Sequence, residues 1–200
     1  ERVTQILSKF IRFVSLDVSL YNFPRYFFHF QVNPLRLLML QNFRITCMKR
    51  LTNHRFSFRI HSGLVILSRF PILNRSGMIF RGRLAGGRIA DGWVDKGVMH
   101  VEIEMPDGPL HVFTTHLQSD NFPEVRRAQI QQLATFVQEY KGRAVFAGDF
   151  NLELQELNFL QPLLNLGFVD SWKEVHPEEE GVTWPETGKR YDLILTRDVP

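Results

Sequence analysis

Asp149 and Asn151 stand two residues apart in the tetrapeptide GDFN, Gly148 to Asn151, directly after the apolar run RAVFAG. A carboxylate can take or give a proton, and an amide can donate to an oxygen whose negative charge grows during a reaction. The local alternative is an Asx-type turn, in which these side chains bond their own backbone. Other polar residues fall in comparable places. His116 lies at the end of LHVFTTHL, and Arg190 and Asp192 sit at the start of RYDLIL. Strand ends of a layered sheet are where such groups can converge around one substrate.

The elements that must carry these residues can be read from local pattern. GLVILSRF is a buried strand closed by Pro71. VMHVEIEM alternates, with Met99, Val101, Ile103 and Met105 on one face and His100, Glu102 and Glu104 on the other, as a half-buried strand requires. PDGP supplies a turn and LHVFTTHL returns, which predicts a hairpin. NFPEVRRAQIQQLATFVQEY has Pro123 near its start and an apolar stripe of Ile130, Leu133, Ala134 and Val137, the pattern of an amphipathic helix. A strand over 143–148 follows. A helical stretch from about 153 to 165 comes next, expected to bend at Pro162 and to end at NLG. RYDLIL is one more strand. A hairpin followed by helix, strand, helix and strand predicts an α/β or α+β layered domain with a mixed sheet.

Composition sets the outer bounds. The 200 residues, 44% of them hydrophobic, suit one globular domain. The single cysteine, Cys47, excludes an intrachain disulfide framework and a cysteine-rich zinc site. The sequence has no apolar run of about 18 residues and no signal-peptide order at its start, which predicts a soluble or peripheral protein. Charge is divided unevenly: residues 1–60 hold ten Lys/Arg against two Asp/Glu, and the remainder fourteen against nineteen. Nine of the 18 phenylalanines fall in those first 60 residues. A basic, aromatic segment can bind nucleic acid or an anionic membrane. The other reading of residues 1–61 is a damaged or replaced front of the domain, expected to pack poorly on the rest. His100 and His111 read as ordinary strand-face residues, and His29, His54, His61 and His176 lack partner spacing for a metal. Asp170 and Trp172 read as shaping a loop or the core.

The ordered series SGLVILSRFPI, DKGVMHVEI, FTTHLQS, RRAQIQQLATFV, VFAGDFN, GFVDSW, TW and RYDLIL resembles the endonuclease/exonuclease/phosphatase superfamily over about 62–197. GDFN alone is a weak signal; its place after THLQS and before RYDLIL gives it weight. The resemblance implies a four-layer α/β (α+β) sandwich, with two mixed β-sheets face to face and flanking helices, formed by residues 62–200. It implies a Mg²⁺-dependent phosphoesterase in which His116 contacts the scissile phosphate and Asn151 stabilises charge on its oxygens. Asp149 would orient and polarise the attacking water or the leaving group. Asp192 would support the histidine, and Arg190 the local loop and substrate. An acid and an amide on one turn then address a proton and a phosphate oxygen together.

The sequence departs from the family pattern in two places. The metal-binding glutamate expected in an LQE context is replaced by Asn42 in MLQNF, and an amide is a poor substitute for a carboxylate on Mg²⁺. The Ser-Asp-His motif that would supply a general-base histidine after a further strand is not found before Pro200. Two classes of function therefore stand: a phosphodiesterase, or a non-catalytic module that binds phosphate. Within the superfamily, DGWVDKGVMHVEIE followed by FTTHLQS looks most like the neutral sphingomyelinase branch, with Asp91 and Lys96 as substrate-binding residues. Alternatively, Asp91, Asp95 and Lys96 are simply a charged loop. The expected partner is a lipid phosphodiester head group, with peripheral membrane contact aided by exposed Trp93 and Phe80; nucleic acid is the alternative. The net acidic charge of residues 61–200 disfavours a polyanion, whose binding rests on neutralising many phosphates.

Overall fold

Alternation along two long strands builds the centre of the molecule. The computed structural model describes residues 11–15, 44–47, 64–68, 70–81, 95–119, 122–184 and 188–199. Asn42, Asp91 and Trp93 lie outside the described residues, as does most of the segment 1–61. Strands β1 (Ile11–Ser15) and β2 (Arg44–Cys47) flank β3 (Leu64–Ser68), and both pair with it antiparallel.

A six-stranded mixed sheet carries everything else. It comprises β4 (Ile72–Ile79), β5 (Gly97–Met105), β6 (Gly108–His116), β7 (Ala144–Asp149), β8 (Val169–Asp170) and β9 (Asp192–Arg197). Its order is β4-β5-β6-β7-β9-β8, with β6 and β7 parallel and the other pairs antiparallel. Helix α1 (Pro123–Val137) is the crossover between the parallel pair, since parallel neighbours cannot be joined by a tight turn. Two short helices, α2 (Gln161–Leu164) and α3 (Ser171–Val175), lie farther along the chain.

The period of two along β5 serves two cores. Met99, Val101 and Ile103 join Leu64 and Ile66 of β3 in one buried cluster, so the smaller sheet packs face to face on the larger. Val98 points the other way, into a cluster with Ile130, Leu133 and Val137 of α1. Smaller sheet, larger sheet and helix are thus stacked as layers.

Several local expectations change. Ile72–Ile79 forms strand β4, which local pattern does not announce; its pairing with β5 shifts register between Ile72 and Asn74. Instead of one bent helix, 153–165 is a 3-10 segment, Leu154–Leu160, that continues into α2. Pro162 sits in the first turn of α2, where its missing N–H removes no helical bond. Phe80, expected to be exposed, is 1% exposed and belongs to the helix-side core. It therefore cannot present its ring to a membrane. Among the described residues, no helix is long and apolar enough to cross a membrane.

Candidate active site

The GDFN turn is fixed by its two apolar or absent side chains, which leaves the other two, Asp149 and Asn151, as the candidate site residues. Phe150 is fully buried against Phe146, with ring centroids 5.4 Å apart. Gly148 passes so close to β6 that an added Cβ would collide with the Thr115 carbonyl oxygen and lie 2.8 Å from the Thr115 nitrogen. With these positions locked, Asp149 and Asn151 are held half-buried on either side of Phe150. The Asx-type turn forms as well: the Asn151 amide donates to Asp149 Oδ1 at 2.9 Å. Asn151 has φ of +49°, a left-handed conformation that asparagine adopts more readily than most residues.

Strand register brings the partners together. Gly97 of β5 pairs with His116 of β6, His116 with Asp149 of β7, and Asp149 with Asp192 of β9. Three neighbouring strands thus present His116, Asp149 and Asp192 along one line across the sheet, with Gly97 of β5 at its end. The loops beyond are tied to each other: Leu117 N donates to the Asp149 carbonyl at 2.9 Å, and Asn151 Nδ2 to the Leu117 carbonyl at 3.0 Å. Asn151 thereby joins the histidine loop to its own.

Lys96, directly before β5, reaches the same point. It is 1% exposed, and its Nζ lies 2.9 Å from His116 Nε2. His116 Nε2 is also 3.6 Å from Asp149 Oδ2. Lys96 and Asp149 thus face the same imidazole nitrogen, which sets an amine and a carboxylate beside one acid–base group. Lys96 and Asp95, which is 8% exposed, are therefore not the solvated charged loop of the alternative reading.

Arg190 is committed differently. Its guanidinium forms a two-pronged pair with Asp170, both contacts at 2.7 Å. Asp170 also accepts from the backbone N–H groups of Trp172 and Lys173, capping α3. The pair holds the loop before Asp192, which is exposed at the start of β9. Thr183 Oγ1 accepts from the backbone N–H groups of Tyr191 and Asp192 at 3.0 and 3.1 Å and completes that support. A cavity of about 250 Å³ opens beside it, lined among others by Leu152, Glu153, Leu157, Lys189 and Arg190.

No family model matches the chain. A Caenorhabditis elegans protein named "Putative neutral sphingomyelinase" is 32% identical over 139 residues, which are 59% of this chain and 30% of that protein. Among solved structures, D. rerio TDP2 complexed with a single strand DNA product is 17% identical with a TM-score of 0.56, covering 82% of this chain and 66% of that one. A beta toxin mutant from Staphylococcus aureus with bound magnesium ions is 20% identical with a TM-score of 0.52, covering 70% and 55%. The chain has the endonuclease/exonuclease/phosphatase fold. It spans under a third of the worm protein and less than two thirds of each solved structure.

On this endonuclease/exonuclease/phosphatase fold, the described residues do not by themselves form a magnesium cradle. Among them, no group of three or more His, Cys, Asp or Glu is placed to hold a metal ion. Asp149 and Asp192 are paired across β7 and β9, while His116 stands one strand beyond on β6 and is met there by Lys96, which precedes β5.

Proposed function

We propose that this domain hydrolyses a phosphodiester, and that its substrate is a sphingomyelin-type lipid cleaved to ceramide and phosphocholine. The observation that carries the reading is the convergence of Lys96, His116, Asp149 and Asn151 on adjoining strand ends, with Lys96 Nζ 2.9 Å from His116 Nε2. In the reaction, a water oxygen bonds to phosphorus and the bond from phosphorus to the alcohol oxygen breaks. Lys96 and the second hydrogen of Asn151 Nδ2 donate to phosphate oxygens as their charge redistributes. Asp149 manages the proton that leaves the water or is given to the departing alcohol.

The choice of lipid rests on the likeness to the worm sphingomyelinase and on charge. Residues 61–200 carry fourteen Lys/Arg against nineteen Asp/Glu, a poor balance for a polyanion and an adequate one for a zwitterionic head group. The second reading, a nuclease, is favoured by the fold's likeness to TDP2 bound to single strand DNA. Magnesium dependence is part of the proposal, supported by the beta toxin structure that holds that ion. Rates on sphingomyelin vesicles and on single- and double-stranded DNA, at physiological salt and with or without added Mg²⁺, separate these readings. Phosphocholine release that needs Mg²⁺ and disappears in Asp149→Ala is the expected result. Faster cleavage of DNA overturns the lipid substrate in favour of the nuclease, and phosphate binding without turnover of either substrate leaves the non-catalytic module.

A further inference from the structure

We propose that Arg126 of α1 is a positioning residue, which clamps the His116 loop and the Asp149–Asn151 loop in one fixed relation. Its activity readout rests on the phosphodiesterase reading; its structural readout does not. Arg126 is 2% exposed on the sheet-facing side of the helix, in line with Ile130, Leu133 and Val137. Its guanidinium reaches both loops at once. Nε donates to Glu156 Oε2 at 2.8 Å and Nη2 to Oε1 at 2.6 Å, while Nη1 donates to the Gln118 carbonyl at 3.2 Å.

Each end of this clamp lies a short distance from a site residue. Gln118 is two residues after His116, and its own N–H donates to Gln129 Oε1 of the same helix at 2.8 Å. One helix face therefore holds both backbone polar groups of Gln118. On the other side, Glu156 is 5% exposed and also accepts from the Glu153 N–H at 3.3 Å, closing the turn that follows Asn151. The planar, five-donor guanidinium suits this geometry because it can bind a carboxylate with two prongs and still reach a third acceptor. A lysine has the charge without the fork.

A purely structural pair and a positioning clamp predict different results. Replacing both members of a buried ion pair by apolar residues of similar volume is often neutral or stabilising. If Arg126 and Glu156 only fill space, the double variant Arg126→Met/Glu156→Met keeps activity along with its melting temperature. If they position the loops, it remains folded and loses turnover, because small misplacements at a reacting centre are costly.

The test measures kcat and KM for sphingomyelin vesicles, the melting temperature, and amide hydrogen exchange at Leu117 and Asn151, in the full chain. The expected outcome for the double variant is a kcat lower on the order of 10- to 100-fold, little change in KM, and faster exchange at both amides. Arg126→Lys is expected to fall between the double variant and the unaltered chain, and it supplies the same readouts if the double variant does not fold. Unchanged exchange at Leu117 and Asn151 in the folded variants overturns the proposal. If the unaltered chain turns over no phosphodiester, the activity reading fails separately, and the exchange rates alone decide the clamp.

Discussion

Two histidine sites on the same pair of strands show how far surroundings set the chemistry of one residue type. At the end of β6, His116 is half-buried, with Nε2 2.9 Å from Lys96 Nζ and 3.6 Å from an Asp149 oxygen. Nearer the middle of the sheet, His100 is 1% exposed and is held by neutral groups. Its Nδ1 shares a hydrogen bond of 3.0 Å with Ser76 Oγ, and its Nε2 one of 3.0 Å with His111 Nδ1. Tyr140 lies against it with a centroid distance of 4.0 Å and the rings tilted by 42°, and bonds Ser76 Oγ at 2.6 Å. Burial and the neighbouring His111 push the His100 pKa down to about 3. Burial also lowers that of His111, against the opposing pull of Glu102. The first site sets an amine and a carboxylate against its half-buried imidazole; the second holds its buried imidazole between a hydroxyl and a second imidazole and ties strands to the end of α1.

The largest expected effect comes from breaking the first site chemically. Asp149→Ala is expected to lower phosphodiester hydrolysis by about 10²- to 10⁴-fold, the range for a positioned acid or base. His111→Ala, in the second site, should change stability and leave the turnover of the folded protein close to normal. Steady-state rates on folded variants, checked by circular dichroism, make the comparison. Comparable losses of turnover in both would show that the two histidine sites are not separate in function.

Gly148→Ala breaks the register that brings His116 beside Asp149. The new methyl group meets backbone atoms of Thr115, which have no rotamer to escape through. Overpacking of this kind costs roughly 1–3 kcal/mol. Denaturant unfolding should record that loss, together with a fall in turnover larger than stability alone explains. A Gly148→Ala protein with unchanged midpoint and rate would mean that β6 and β7 can separate freely at the site.

Much of this arrangement is legible in the amino-acid sequence. Both strands of the hairpin, α1, β7 and β9 follow from alternation, turn residues and the apolar stripe, because each pattern has one solution with a buried face. GDFN is legible as a strand-end turn with two polar side chains. Lys96 is named as a substrate-binding residue only through the family resemblance, because a charged residue between Asp95 and Gly97 reads locally as a charged loop, and it is β5–β6 register that carries it to His116. Arg126 does leave a signal: it lies four residues before Ile130, on the apolar stripe itself. A charge in that stripe must be paired to be buried, and its partner, Glu156, is 30 residues away in sequence. β4 is hidden because NRSG interrupts ILNRSGMI with polar residues, and Leu73 to Arg75 face solvent at the sheet edge.

Acid should act on the second site before mutation does. An unfolded histidine titrates near 6.5, whereas His100 in the folded protein titrates at about 3. The folded state therefore holds His100 neutral between these values, while the unfolded state takes up a proton. Stability from this group is fully present above about pH 6.5 and is lost as pH falls towards 3, by up to about 1.4 kcal/mol per pH unit for each such histidine. His111, shifted in the same direction, adds to the loss. Unfolding free energies measured from pH 7 to 4 should show this slope, and His100→Gln should flatten it while lowering stability at pH 7. A slope unaffected by His100→Gln would assign the acid sensitivity to other groups.

The smallest effect expected is that of Tyr140→Phe, and it asks whether the second site is held by its rings or by its hydroxyls. Tyr140 makes a tilted ring contact with His100 and an edge contact with Phe113 at 5.4 Å, both of which a phenylalanine ring can keep. What it loses is the bond of 2.6 Å between its hydroxyl and Ser76. Ser76 Oγ retains His100 Nδ1 as a partner at 3.0 Å, so no buried polar atom of Ser76 is stranded by the change. A hydrogen bond removed under those conditions costs roughly 0.5–1.5 kcal/mol, and turnover at the distant Lys96–His116 site should be unchanged. Exchange of the Ser76 amide, which belongs to the edge strand β4, should rise modestly with the lost tie. A loss well above that range would show that the hydroxyl orders the whole Ser76–His100–His111 chain, and with it the His100 tautomer. A loss near zero would leave ring contacts as what binds β5 and β6 to the end of α1.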